Sequence, residues 1–215
     1  MFNEPHSLAI RIWHWTFFLA LTFTLVIVLF ASTVFKTRNN ISLVQDQLQE
    51  KGVTVTTVQA RAVAHEFNDK LWNLHTIVGY VIIGLLLSRI LIEIAQPGEE
   101  KLRTKLKMAL AFRSPVSSSR VSSEKMEQQH YIMVKRGYIL FYILIGTMAL
   151  TGLVLAFEDA AMLKGIQRPA KQVHSFVQYL IYGYILVHLV GVIRADLGKY
   201  KGLVSGMVHG KKHSV

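Results

Sequence analysis

Apolar residues in this chain come in long unbroken runs, not in the one-sided stripes of a soluble helix. Four stretches lack Asp, Glu, Lys and Arg altogether: Ile12 to Phe35, Leu71 to Ser88, Gly137 to Phe157 and Gln172 to Ile193. Each matches the roughly 20 residues a helix needs to cross a bilayer core. Four transmembrane helices are therefore predicted, over about 10–35, 71–95, 137–157 and 172–193. The first run is about twice the length of a signal-peptide core and no small-residue cleavage site follows it. It is expected to remain in the mature protein.

The connecting segments carry their own patterns. "ISLVQDQLQEKG" in the 36–70 connection predicts a short helix, with Ser42 as a cap and Gly52 as a stop. "TTVQARAVAHEFNDKLWNLH" predicts helix running directly into the second span. In the 97–136 connection, Leu102, Leu106, Ala109 and Leu110 recur at helical spacing among basic residues. That pattern predicts an amphipathic helix lying on anionic lipid or an acidic partner, followed by a flexible linker, "SPVSSSRVSS". No internal repeat or second domain is visible, so residues 1–215 read as one domain.

Composition agrees: 52% of the 215 residues are apolar and 17% charged, a balance that points to a membrane protein. The net charge of +11 raises nucleic acid as a partner, but its distribution argues against one. Nine Lys/Arg fall between Pro97 and Arg136 and five from Arg194 onward. In the 36–70 connection, five basic residues are diluted by Asp46, Glu50, Glu66 and Asp69. By the positive-inside rule the middle loop and both termini are cytoplasmic. The fold class is then all-α, an integral membrane up-down-up-down four-helix bundle. Membrane lipid is its surroundings, and nucleic acid is not an expected partner. The three tryptophans all lie near span ends, where interfacial anchoring is the simplest role.

There is no cysteine, which excludes iron–sulfur clusters, thiolate metal sites and covalently attached haem. Any cofactor must be held by His, Met or oxygen ligands.

Nine histidines are present, and four lie within the spans. His14 is three residues past Arg11 and His188 six before Arg194, both at the inner membrane face. His75 is five past Lys70 and His174 three past Lys171, both at the outer face. His174 and His188 are fourteen residues apart, nearly four helical turns, so they share a face about 21 Å apart along one helix. Two histidines on facing helices are what a six-coordinate haem iron requires. A zinc site would need further ligands, and these spans hold no deep carboxylate to supply them. Taken singly, each histidine has a plain alternative as an interhelical hydrogen-bonding group.

Gly79, one turn past His75, would let a flat macrocycle approach the backbone. Gly183 and Gly191 offer the same, or serve helix packing. Arg89, fourteen residues past His75, has two readings. It neutralises haem propionates or holds a quinone headgroup, or else it pairs with Glu93 one turn on. Arg11, Lys70, Lys171 and Arg194 flank the histidines and are further propionate candidates.

These residues resemble the four-helix bacterial di-haem cytochromes b, the prokaryotic cytochrome b-561 family that includes the b-type subunits of nickel–iron hydrogenases. "IRIWHW" at 10–15 is similar to the family's Arg-x-x-His-Trp opening, and "LHTIVGYVIIGLLLSRI" to its second-span His-x-x-x-Gly-Tyr and Arg. "MALTGLVLAF" carries the third-span Thr-Gly, and His174 with His188 matches the paired ligands of the fourth span. The tail "VIRADLGKYKGLVSGMVHGKK" looks most like the hydrogenase branch. Unlike many members, the first span ends in "LFASTVF" without Thr-Gly.

The resemblance implies two haem b groups, with His14 and His188 on the inner iron and His75 and His174 on the outer. It implies electron transfer in the bacterial inner membrane between the quinone pool and a redox partner subunit or carrier. A freestanding quinone-linked cytochrome b and a haem-free anchor for a soluble partner are the alternatives. A metal carrier would place Asp or Glu mid-span, and a pH sensor built on His65, His130 or His209 has no supporting pattern.

Overall fold

The computed structural model describes residues 7–96, 122–157, 159–198 and 203–210, with 101, 104 and 107. Those residues are helical, with no strand among them: α1 (Leu8–Ser32), α2 (Thr37–Glu50), α3 (Thr57–Ala95), α4 (Ser122–Ala156), α5 (Gln167–Leu197) and α6 (Leu203–His209). A single 3-10 turn, Ala161–Leu163, precedes α5. Four helices are long and apolar enough to cross a membrane: α1, α3, the Arg136–Ala156 part of α4, and α5. The four predicted spans are all present.

Helix ends follow local chemistry. Thr56 and Gln59 form a reciprocal capping box at the start of α3. The Thr56 amide donates to Gln59 Oε1 at 2.9 Å, and the Gln59 amide to Thr56 Oγ1 at 3.3 Å. Such a box satisfies two of the donors that a helix N-terminus leaves open. From there α3 runs unbroken through the second span, as predicted. Gly52 adopts φ +77° and ends α2 as expected.

The start of α2 differs from the prediction. It begins at Thr37, not after Ser42. Asn40 Nδ2 donates to the Val34 and Lys36 carbonyls at 2.7 and 3.0 Å, tying the new helix to the end of the first span. The 97–136 connection is also shorter than expected, because α4 begins at Ser122. Ser122, Glu124 and Glu127 suit a helix N-terminus in sequence. Apart from residues 101, 104 and 107, the predicted amphipathic helix lies outside the described residues, as do His6 and His213.

The chain divides into two compact units, one formed by Ile12–Leu86 and the other by the described residues on either side of it. In the first unit α1 and α3 run antiparallel. Trp13 Nε1 donates to the Leu85 carbonyl at 2.6 Å, Thr24 meets His75, and Asn68 Nδ2 donates to the Ala31 carbonyl at 2.7 Å. As one number rises the other falls by nearly the same count. Phe17, Thr24, Ile27, Val28 and Ala31 are the buried residues of α1, and Ala60, Ala64 and Val78 those of α3.

In the second unit α4 and α5 are antiparallel in the same sense. Thr151 meets His174, and the Phe141 and Tyr184 rings lie 5.5 Å apart. The buried positions of α5 are Ala170, Val177 and Ile181, spaced seven and four, which makes one stripe of a helix. Large apolar side chains elsewhere stand exposed, among them Leu150 and Val187. In a bilayer such side chains face lipid at no cost.

Candidate functional site

The α5 stripe carries the candidate histidines. His174 sits four residues past Ala170 and three before Val177, and His188 seven past Ile181. Helical spacing therefore puts both imidazoles in line with the buried stripe. The first is half-buried and the second exposed. In the other unit, His14 and His75 are half-buried on antiparallel helices. The α1–α3 register sets His14 level with the Leu85 end and His75 level with Thr24. Each unit thus contributes one histidine near each end of its helix pair.

His75 and His174 each meet a threonine on the neighbouring helix of their own unit. Thr24 Oγ1 lies 2.9 Å from His75 Nδ1, and Thr151 Oγ1 lies 2.9 Å from His174 Nδ1. Thr24 is 6% exposed, the one buried polar residue among those described. Gly152 follows Thr151, and a Cβ built there would stand 3.4 Å from His174 Cε1. Glycine gives the ring room beside the hydroxyl that holds it. A Cβ on Gly79 or Gly183 would meet nothing within 4 Å, so the backbone of α3 one turn past His75 is open to close approach.

His14 and His188 are set against aromatic rings. His188 lies parallel to Tyr184, with centroids 6.2 Å apart and planes at 5°. Tyr184 in turn meets Phe141 of α4. His14 stands edge-to-face with Trp15 at 5.6 Å.

Arg89 is 12% exposed and pairs with Glu93, which is 23% exposed, at 3.5 Å. It also donates a hydrogen bond to the Tyr142 phenol of α4. Glu93 as a partner fits one of the two readings of Arg89 made from sequence. The atom that faces Glu93 is Nη1, which is buried and makes the ion pair without hydrogen-bond geometry. Arg11 has been drawn toward the C-terminal tail. Its guanidinium occupies the volume a Cβ on Gly210 would need, and Nε is buried without a hydrogen-bond partner.

Several of these partners were missed in the sequence. In the sequence Thr151 and Gly152 stand out only as part of a motif, and nothing there connects Thr24, Tyr142 or Gly210 to a site. Among the described residues no three His, Asp or Glu side chains converge as a metal-binding group. The His65–Asp69 and Glu66–Lys70 contacts at 2.6 and 3.0 Å are exposed pairs along one helix, of little energetic weight.

Residues 5–210 match the family described as prokaryotic cytochrome b561. No curated protein and no solved structure matches the chain.

Proposed function

The chain belongs to the prokaryotic cytochrome b561 family, and from that premise we propose that it is a di-haem b-type cytochrome carrying electrons across the bacterial inner membrane. Membership in the family gives a multi-pass membrane protein with b-type haem. The count of two haems, exchange with the quinone pool and a hydrogenase-type redox partner are the further reading. So is treatment of the whole chain as one cytochrome domain.

The residues present fit the group. Each unit carries two histidines, one near each end of its helix pair. Arg11 keeps a buried Nε without a hydrogen-bond partner, and the backbone at Gly79 is open. In this reading His75 and His174 would hold the outer iron and His14 and His188 the inner one. Arg11 and Arg89 would neutralise propionates. Haem, when bound, supplies a one-electron ferric/ferrous couple. The chain fixes ring orientation, surrounds the group with apolar side chains and sets the charge near it. An exposed imidazole such as His188 is costly at membrane depth, and ligation would compensate it.

The placement of one histidine near each end of each helix pair is the observation that carries the reading. Resemblance of the tail to the hydrogenase branch favours a complex subunit over a freestanding cytochrome. The test is haem per chain on detergent-purified protein, by pyridine haemochrome with a reduced-minus-oxidised spectrum. Two low-spin b haems are expected. Protein expressed with ample haem that binds none would instead be a membrane anchor.

A further inference from the structure

We infer that Thr151 and Thr24 are positioning residues for the outer haem, fixing the rings of His174 and His75 so that Nε2 is the nitrogen presented to iron. This rests on the ligand assignment proposed above and adds to it the tautomer of the ligand and the groups that set it.

The argument is strongest at Thr151. Its Oγ1 has three close neighbours: the Thr147 carbonyl at 2.7 Å, the Met148 carbonyl at 3.2 Å and His174 Nδ1 at 2.9 Å. A hydroxyl owns one hydrogen, and carbonyls only accept. If the hydroxyl donated to the imidazole, two carbonyl oxygens would face Oγ1 with no hydrogen between them, one at only 2.7 Å. The hydroxyl therefore donates to a carbonyl, and His174 Nδ1–H donates to Oγ1, with the Met148 carbonyl as a further acceptor of the ring. Neutral imidazole has one N–H, so Nε2 carries the lone pair. That is the tautomer a haem ligand needs, and Nε2 is on the far side of the ring from the threonine.

Metal-ligating histidines regularly donate their second N–H to an oxygen acceptor, which fixes the ring and raises its basicity. A threonine back-bonded to its own helix suits the task in a membrane, because its hydrogen is already committed. Gly152 completes the seat by leaving the Cε1 edge of the ring in contact range without crowding it. The Thr-Gly pair thus has a physical role: the hydroxyl orients the ring and the missing side chain accommodates it.

Thr24 repeats the contact at the same 2.9 Å from the other unit, in a buried position. Both outer ligands thus have a threonine hydroxyl at Nδ1. The inner ligands lie against Trp15 and Tyr184 instead. A hydroxyl acceptor on Nδ1–H makes the imidazole a stronger donor and favours ferric iron, so the two threonines lower the potential of the outer haem.

The experiment uses full-length protein carrying Thr151→Val, Thr24→Val or Thr151→Ser. Midpoint potentials come from an optical redox titration, and haem loss from transfer to apomyoglobin. Valine keeps the shape and removes the oxygen. Either valine variant is expected to raise the outer potential and to weaken outer-haem retention by roughly 10- to 100-fold, the usual cost of losing such a partner. The inner haem is unchanged and reports that the fold is intact, and Thr151→Ser restores both readouts. Unmoved outer-haem properties in both valine variants overturn the inference, as does an equal shift of the two haems. His174→Ala separates the two levels of the argument. If it loses the outer haem while the valine variants are silent, only the role of the threonines fails. If it keeps both haems, the ligand assignment fails first.

Discussion

Trp13 gives its indole N–H to the backbone carbonyl of Leu85 at 2.6 Å, and its ring stacks on Phe17 at 5.1 Å. A tryptophan at a span end ordinarily anchors at the headgroup level, yet this one ties α1 to α3 immediately beside His14. Trp13→Phe keeps most of the ring and removes the donor. Interhelical hydrogen bonds in membranes are modest, so the expected loss is about 0.6–1.5 kcal/mol. Thermal unfolding in detergent would show it as a small drop in Tm. A drop no larger than that of Trp15→Phe would mean that the bond contributes nothing.

The Arg89–Glu93–Tyr142 cluster makes a different kind of prediction, because removing one charge strands the other. Both side chains are largely withdrawn from solvent. Arg89→Gln or Glu93→Gln alone is expected to cost about 1.5–3 kcal/mol, and the double variant less than the sum of the two, since breaking a buried pair is worse than replacing it. Tyr142→Phe removes only the hydrogen-bond acceptor and should cost least. A double-mutant cycle on unfolding measures the coupling, and strict additivity would show that the pair is not one unit.

The four spans were legible in the sequence because bilayer thickness sets a length that only long apolar runs meet. The histidines were legible for the same reason, as costly groups inside those runs. Their threonine partners were not. In a span, threonine commonly bonds the carbonyl one turn back, as Thr147 and Thr151 do here. Nothing in such a residue's spacing reveals which ring it also meets. The start of α2 was misplaced because Asn40 reaches back to Val34 and Lys36, a contact that depends on how the first span ends. Tyr142 and Gly210 came into view only through neighbours distant in the chain.

Gly210 is a case where backbone and packing make the same demand. Its φ is +71°, and a Cβ would overlap the Arg11 guanidinium. At the other end of α6, Asp196 Oδ1 accepts the Val204 amide at 3.2 Å, so Asp196 and Gly210 of the tail motif each secure one end of this short helix. Gly210→Ala meets about 1–2 kcal/mol of backbone strain and must also displace Arg11. Adding Arg11→Ala relieves the clash but not the strain. The expected result is faster proteolysis of the tail in Gly210→Ala, partly reversed in the double variant. Equal proteolysis of wild type and Gly210→Ala would show that the tail does not depend on this contact.

The ligand assignment makes the sharpest demand on the protein. His188 and His75 belong to different units, and neither shares an iron with the other in the proposed pairing. Each variant should therefore remove a different redox component. His188→Ala is expected to lose the inner haem and keep the outer, while His75→Ala does the reverse, both with one haem per chain by pyridine haemochrome. Loss of the same component in the two variants would mean that His188 and His75 serve one iron, contrary to the pairing by level. Two haems in both variants would place the ligands elsewhere in the chain.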